Sequence, residues 1–215
     1  MSTEQLEIDH VVIGVADLEV AAARLLTDHG LVALPGGHHP AWGTANRIVP
    51  LGPTYLELVA VVEPAVAAQN AFGTWVADMA RGSAGGGWAV RTHDMAATAA
   101  RLGLDVVPGS RFTSEGGELR WQLAGLPSAG APDRTLPFFI AWADGTPLPG
   151  TAPAAHRGGG TRLERITVEA DPQRLDRWLA GHELAVDVAR GPRGVTAVRC
   201  RSTQGVVHLD LPIRP

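Results

Sequence analysis

The sequence predicts an α+β fold assembled from tandem βαβββ modules, with curved mixed or mainly antiparallel sheets and helices on their outer faces. Three observations predict it. A strand-like run, an Asp cap, a helical run and a Gly stop follow one another three times, with the caps Asp17, Asp94 and Asp171 at equal intervals of 77 residues. Each helix is followed by three further short runs, most of them separated by glycines and prolines, as hairpin connections require. Composition agrees: 45% hydrophobic and 19% charged residues in a chain of 215 describe a globular protein with a real core.

The first strand is read over residues 8–15, which are apolar and β-branched. Asp17 then starts a helix, because its carboxylate can accept from the free amides of the first turn, and Gly30 supplies a left-handed stop. Strand-like runs follow near 32–34, 45–51 and 55–61. The second unit has a strand over 87–92, the cap Asp94, a helix over 95–102, the stop Gly103, and runs near 106–107, 118–124 and 138–142. In the third, a strand over 163–169 leads to Asp171, to Pro172 at a first helical position where its missing N–H costs nothing, and to the stop Gly181. Runs near 185–189, 195–201 and 206–211 complete it. The expected organisation is a module at 6–62, a linker with a helix near 65–79 at 63–86, a module at 87–143, a Pro/Gly-rich linker at 144–160 and a third module-like unit at 161–215.

Composition also excludes. The net charge is −4 and the basic residues are scattered arginines, so nothing forms a surface for nucleic-acid phosphates. Cys200 is the only cysteine, which rules out an intrachain disulfide; alternating with Val198 and Ser202 as in a strand, it is expected to be a buried structural thiol. The start, Met1 to Gln5, is acidic and polar, unlike a signal peptide, and no apolar run has membrane-spanning length. A soluble cytoplasmic protein is the expectation. Glycine runs at 82–87 and 158–160 lack the Lys-Ser/Thr ending of a phosphate loop and are read as linkers.

The segment Ile8-Asp9-His10-Val11-Val12-Ile13-Gly14-Val15-Ala16-Asp17-Leu18 resembles the first strand and cap of the vicinal oxygen chelate superfamily. Its glyoxalase-like domain branch is resembled further by Pro35-Gly36-Gly37-His38-His39-Pro40-Ala41-Trp42-Gly43-Thr44-Ala45-Asn46-Arg47, by Tyr55-Leu56-Glu57-Leu58-Val59, and in the second unit by Leu119-Arg120-Trp121-Gln122-Leu123-Ala124. The resemblance covers most of residues 6–180. It implies that the first two modules pair as a barrel around a cleft. It also implies His10 and Glu57 as ligands of a divalent metal (Zn, Mn, Fe or Ni), and a lyase, isomerase or dioxygenase acting on a substrate with adjacent oxygens. The superfamily's drug-binding branch implies the alternative of metal-free small-molecule binding in the same cleft; a structural partner domain is a third.

Strand parity supports the placement independently. His10, Val12 and Gly14 share one face against Val11, Ile13 and Val15, and Tyr55, Glu57 and Val59 share one against Leu56 and Leu58. The second unit departs from the pattern, since Gly87 stands opposite His10 and Phe139, Ile140 and Ala141 stand where a carboxylate would. In the third unit the matching positions are Arg165 and Asp210.

The loop holding His38, His39, Trp42 and Asn46 has no helical or strand period and reads as a functional loop on a rigid scaffold, or as packed surface. His39 would serve as a catalytic acid/base, an extra ligand or a donor to a substrate oxygen. Trp42, Asn46 and Arg47 would contact the substrate. If Leu119, Trp121 and Leu123 pack on a helix, Arg120 and Gln122 face the cleft and could anchor a carboxylate or carbonyl; otherwise Arg120 pairs with a local acid. Trp88, Trp142 and Trp178 are read as packing residues or cleft walls, and His93, His156, His182 and His208 as surface or structural. The third unit is expected to extend the sheet, cover an edge or mediate a homodimer.

Overall fold

A computed structural model describes residues 5–112, 118–126 and 133–213. The first unit comprises β1 (Leu6–Gly14), α1 (Leu18–His29), β2 (Leu34–His39), β3 (Thr44–Leu51) and β4 (Thr54–Val61). Two helices follow, α2 (Pro64–Ala67) and α3 (Ala71–Ala80). The second unit comprises β5 (Gly87–Thr92), α4 (Met95–Leu102), β6 (Val106–Phe112), β7 (Glu118–Ala124) and β8 (Phe138–Trp142). The third comprises β9 (Arg162–Glu169), α5 (Pro172–Trp178), β10 (Val186–Ala189), β11 (Gly194–Ser202) and β12 (Gly205–Asp210). The caps work as their chemistry requires. Asp17 accepts from the amides of Glu19 and Val20, Asp94 from that of Ala97, and Asp171 from those of Gln173 and Arg174.

Units one and two merge into one eight-stranded sheet, ordered β2-β3-β4-β1-β5-β8-β7-β6. Counted from the antiparallel β1–β5 seam, each half runs first, fourth, third, second strand. The sheet curls until β2 and β6 touch. On its convex face α1 and α4 bury Leu25, Met95 and Ala99 against Val11, Ile13, Leu56, Leu58 and Val90. On its concave face a second core forms around α3, whose Phe72, Trp75, Val76 and Met79 pack on Val12, Val59, Ala89, Phe138 and Ile140. The helix expected in the linker is therefore the filling of half the barrel.

The third unit keeps the order of elements but not the order of strands. Its sheet runs β10-β9-β11-β12, with β10 parallel beside β9 where the first two units place their fourth strand. This unit neither extends the main sheet nor stands unpaired. It covers the convex face between the helices, adding Ile166, Val168, Val195, Val198 and Leu209 to the same core. β12 and α1 border one surface pocket, and α5 meets α4 where Arg101 donates to the carbonyls of Arg177 and Trp178. Arg165 pairs with Asp187 at 3.1 Å on this outer layer, far from any role in a cleft. Among the described residues no helix is long and apolar enough to cross a membrane.

Cys200 lies buried in this shared core, and burial, helped by the charge of Glu164, pushes its thiol up to about 12. A thiolate is the reactive form. At pH 8 a disulfide reagent followed by absorbance is expected to leave the native protein unlabelled and to label one thiol per chain only in denaturant. Rapid labelling of the native protein would contradict this packing. Because the folded thiol holds its proton more tightly than an unfolded one, this burial costs nothing below pH 9 and erodes stability as pH rises from 9 towards 12.

The linker at 144–160 is pinned by His156. Its Nδ1 accepts from the Val32 amide at 2.9 Å and its Nε2 donates to the Pro50 carbonyl at 2.7 Å, a structural use of both ring nitrogens. A 3-10 turn at Pro149–Thr151 in this linker brings Pro149 to the cleft.

Candidate functional site

The site begins with a break in alternation. Leu6 and Ile8 face the convex core, and so do Val11, Ile13 and Val15. A regular strand cannot do both, because side chains alternate with period two. The phase slips at a β-bulge, where Ile8 opposes Val90 and His10 opposes Ala89, leaving Asp9 as the extra residue. The bulge swings both Asp9 and His10 towards the concave side, and both are buried.

Asp9 collects three donors. His10 Nδ1 lies 2.7 Å from Oδ1, the indole Nε1–H of Trp142 donates to Oδ2 at 2.9 Å, and Arg91 reaches Oδ2 at 3.4 Å. Arg91 also donates to Glu7 and to the Pro53 carbonyl, so this buried guanidinium is paired. An ionised carboxylate only accepts, so the Nδ1 proton of His10 is fixed on the Asp9 side. In the neutral ring the Nε2 lone pair then faces the cavity. The ring is held by stacking on Tyr55, with centroids 4.5 Å apart, and by the edge of Phe138 at 5.5 Å.

Glu57 lies beside it, with Oε2 3.7 Å from His10 Nε2, beyond hydrogen-bond reach. Its other oxygen accepts from Asn46 Nδ2. The orientation of that amide is forced, because Asn46 Oδ1 accepts from the Gly37 amide at 2.6 Å. Residue 36 must be glycine for this contact, since a Cβ there would stand 2.0 Å from Asn46 Oδ1.

The cavity takes up about 530 Å³, its open mouth included, and is lined by these polar groups and by the rings of Trp42, Tyr55, Phe72, Trp121, Phe138 and Trp142. His39 and Trp42 stand together in the lining. His39 Nδ1 is 3.1 Å from Thr44 Oγ1, its ring meets Trp42 edge-on at 5.6 Å, and Trp42 reaches Phe72 of α3 at 4.7 Å.

The structure thus brings together His10, Glu57, Asn46, His39 and Trp42, and leaves three expected residues outside. Arg47 is on the opposite face of β3 from Asn46 and forms an ion pair with Glu19 of α1 at 2.6 Å. Arg120 points outward, two-thirds exposed and paired with Glu118 at 2.6 Å, and Gln122 lines the same outer surface. The premise about β7 is reversed: Trp121 and Leu123 line the cleft, because the cleft is as apolar as a helix-packed core. Asp9, Tyr55, Phe72 and Trp142 complete the site. The jump in apolar spacing from Leu6 and Ile8 to Val11 and Ile13 was the one signal in the sequence for the Asp9 bulge.

The fold family implies a divalent metal here, and the side chains do not fit one. His10 and Glu57 are two donors, and one Glu57 oxygen is committed to Asn46. Facing them stand Leu123, Phe138 and Ile140. At Gly87, opposite His10 when the caps are aligned, a Cβ would stand 2.1 Å from the Trp75 ring, so α3 occupies that side-chain space. Among the described residues no three His, Cys, Asp or Glu side chains are placed so that they could hold a metal ion.

Comparison with known proteins agrees with the fold. The glyoxalase-like domain family matches residues 8–183. No curated protein matches the chain. A hypothetical protein from Staphylococcus aureus has a similar structure, with a TM-score of 0.64 and 16% identity over 96% of this chain and 86% of that one. Methylmalonyl-CoA epimerase of Streptomyces coelicolor, in complex with 2-nitronate-propionyl-CoA, gives a TM-score of 0.45 and 19% identity over 66% of this chain and 97% of its own. Its counterpart from Mycobacterium tuberculosis gives 0.42 and 20% over 63% and 86%. With two βαβββ halves sharing one curved sheet and the family match spanning both, the chain belongs to the glyoxalase-like domain family of the vicinal oxygen chelate superfamily.

Proposed function

We propose that the protein binds a small, flat, largely apolar molecule in this cleft and does so with its own side chains, without a resident metal. The observation that carries the reading is the far wall. Where a second pair of ligands would stand, Trp75 fills the space beside Gly87, and Ile140 lines the cleft. Two protein donors hold a divalent ion weakly, whereas six aromatic rings around a narrow cavity suit a planar ligand. Asn46 and Trp42 would contact it directly, and His39 would serve it as donor or acid/base.

A metal-dependent lyase, isomerase or dioxygenase is the second reading, favoured by one observation. Asp9 holds His10 through Nδ1, the arrangement that commonly orients a metal-binding histidine. Metal analysis decides between them. Protein purified without chelator and dialysed against Zn, Mn, Fe and Ni in turn is expected to retain well under one equivalent of each. One equivalent that disappears in both His10→Ala and Glu57→Ala would establish the metal enzyme instead.

A further inference from the structure

We infer that the ligand of this cleft is a planar organic cation carrying N–H donors, such as a protonated heteroaromatic amine. The inference rests on the small-molecule reading above and adds the sign of the charge. Glu57 is the one side chain of fixed charge in the cavity lining among the described residues. The cations that could have balanced an anionic ligand lie elsewhere: Arg47 is tied to Glu19, Arg120 to Glu118, and Arg91 sits behind Asp9. The linked cluster sets three carboxylates, Glu7, Asp9 and Glu57, against the single guanidinium of Arg91. It therefore stays negative whether His10 is neutral or protonated.

The cavity floor also offers acceptors. His10 is more than nine-tenths buried, and its Nε2 stands 3.7 Å from Glu57 Oε2, so one amino or amidinium group could bridge the two. The walls complete the match, since aromatic faces attract a cation, most strongly where water is excluded. An anion would meet the opposite in every respect: a half-buried carboxylate, an outward-facing lone pair and ring faces of negative potential.

Three probes of one size and shape separate the charges. At pH 7, 4-aminoquinoline is a planar cation, 1-naphthylamine is its neutral counterpart and 1-naphthoate is an anion. Calorimetric titration is expected to show the cation binding roughly tenfold or more tighter than the neutral amine, with the anion weakest. In Glu57→Gln, which keeps an acceptor for Asn46, affinity for the cation should fall to that of the neutral amine while the latter is unchanged. Arg120→Ala, outside the cleft, should leave all three as they were. Equal binding of cation and neutral amine, or tighter binding of naphthoate, overturns the cation and leaves small-molecule binding standing. Binding of none of the three overturns both. The comparison among probes in the unaltered protein needs no variant, so it stands even if Glu57→Gln does not fold.

Discussion

Replacing Asp9 with alanine is expected to cost about 3–5 kcal/mol of stability, among the largest effects of any single polar substitution in this chain. The change removes the acceptor shared by His10, Trp142 and Arg91 without removing any of the donors. Two of them lie deep in the structure, and a buried donor left alone bears its full desolvation cost. Asp9→Asn should cost less, because the amide oxygen can still accept from one donor. Urea unfolding followed by far-ultraviolet dichroism would measure both. A loss below about 1 kcal/mol for the alanine variant would show that water replaces the carboxylate and that the cluster adds little. The same variant frees the His10 ring to turn, so probe affinity should fall further than the remaining folded fraction explains.

Trp75→Ala is expected to cost a similar amount, about 3–5 kcal/mol, through a cavity in the concave core. Trp75, on the apolar face of α3, is fully buried against Gly87, and among the described residues its indole N–H has no hydrogen-bond partner. That orphaned donor makes Trp75→Phe much the milder change, since it loses ring volume but also an unsatisfied polar group. The alanine variant should also enlarge the cleft. A probe one ring larger than naphthylamine, measured by calorimetry, should then bind relatively better to the variant than to the parent. Unchanged size preference with large destabilisation would mean that α3 closes over the gap.

Much of this architecture is legible in the sequence, and the places where it is not share a cause. The caps at Asp17, Asp94 and Asp171 mark the three helices, because short side chains that satisfy free amides leave a local signature. Parity from His10 to Val15 and along Tyr55 to Val59 places His10 and Glu57 on the concave side correctly. Parity separates the two faces of β7, with Arg120 and Gln122 opposite Trp121 and Leu123, but alternation cannot tell a core from an aromatic cleft, and here the apolar face is the cleft. The strand order of the third unit is equally silent, since pairing is a long-range choice between segments of similar composition. Asp9 escaped because a bulge is a single extra residue, visible only as a slipped spacing. The role of α3 escaped because a helix between two modules reads as a connection until its partner surface is known.

That extra residue in β1 has a bearing on how the two halves find each other. Among the described residues the β1–β5 seam is the one strand pairing between the first two modules, and it is where Asp9 meets Arg91. Apolar side chains along the seam would tolerate a shifted alignment, since one valine packs much like another. A charge pair does not: sliding β5 by two residues against β1 would separate Arg91 from both Glu7 and Asp9 and leave its buried guanidinium without a carboxylate. The bulge thus serves as a key cut into the joint, admitting one alignment of the two halves and thereby fixing which residues look into the cleft.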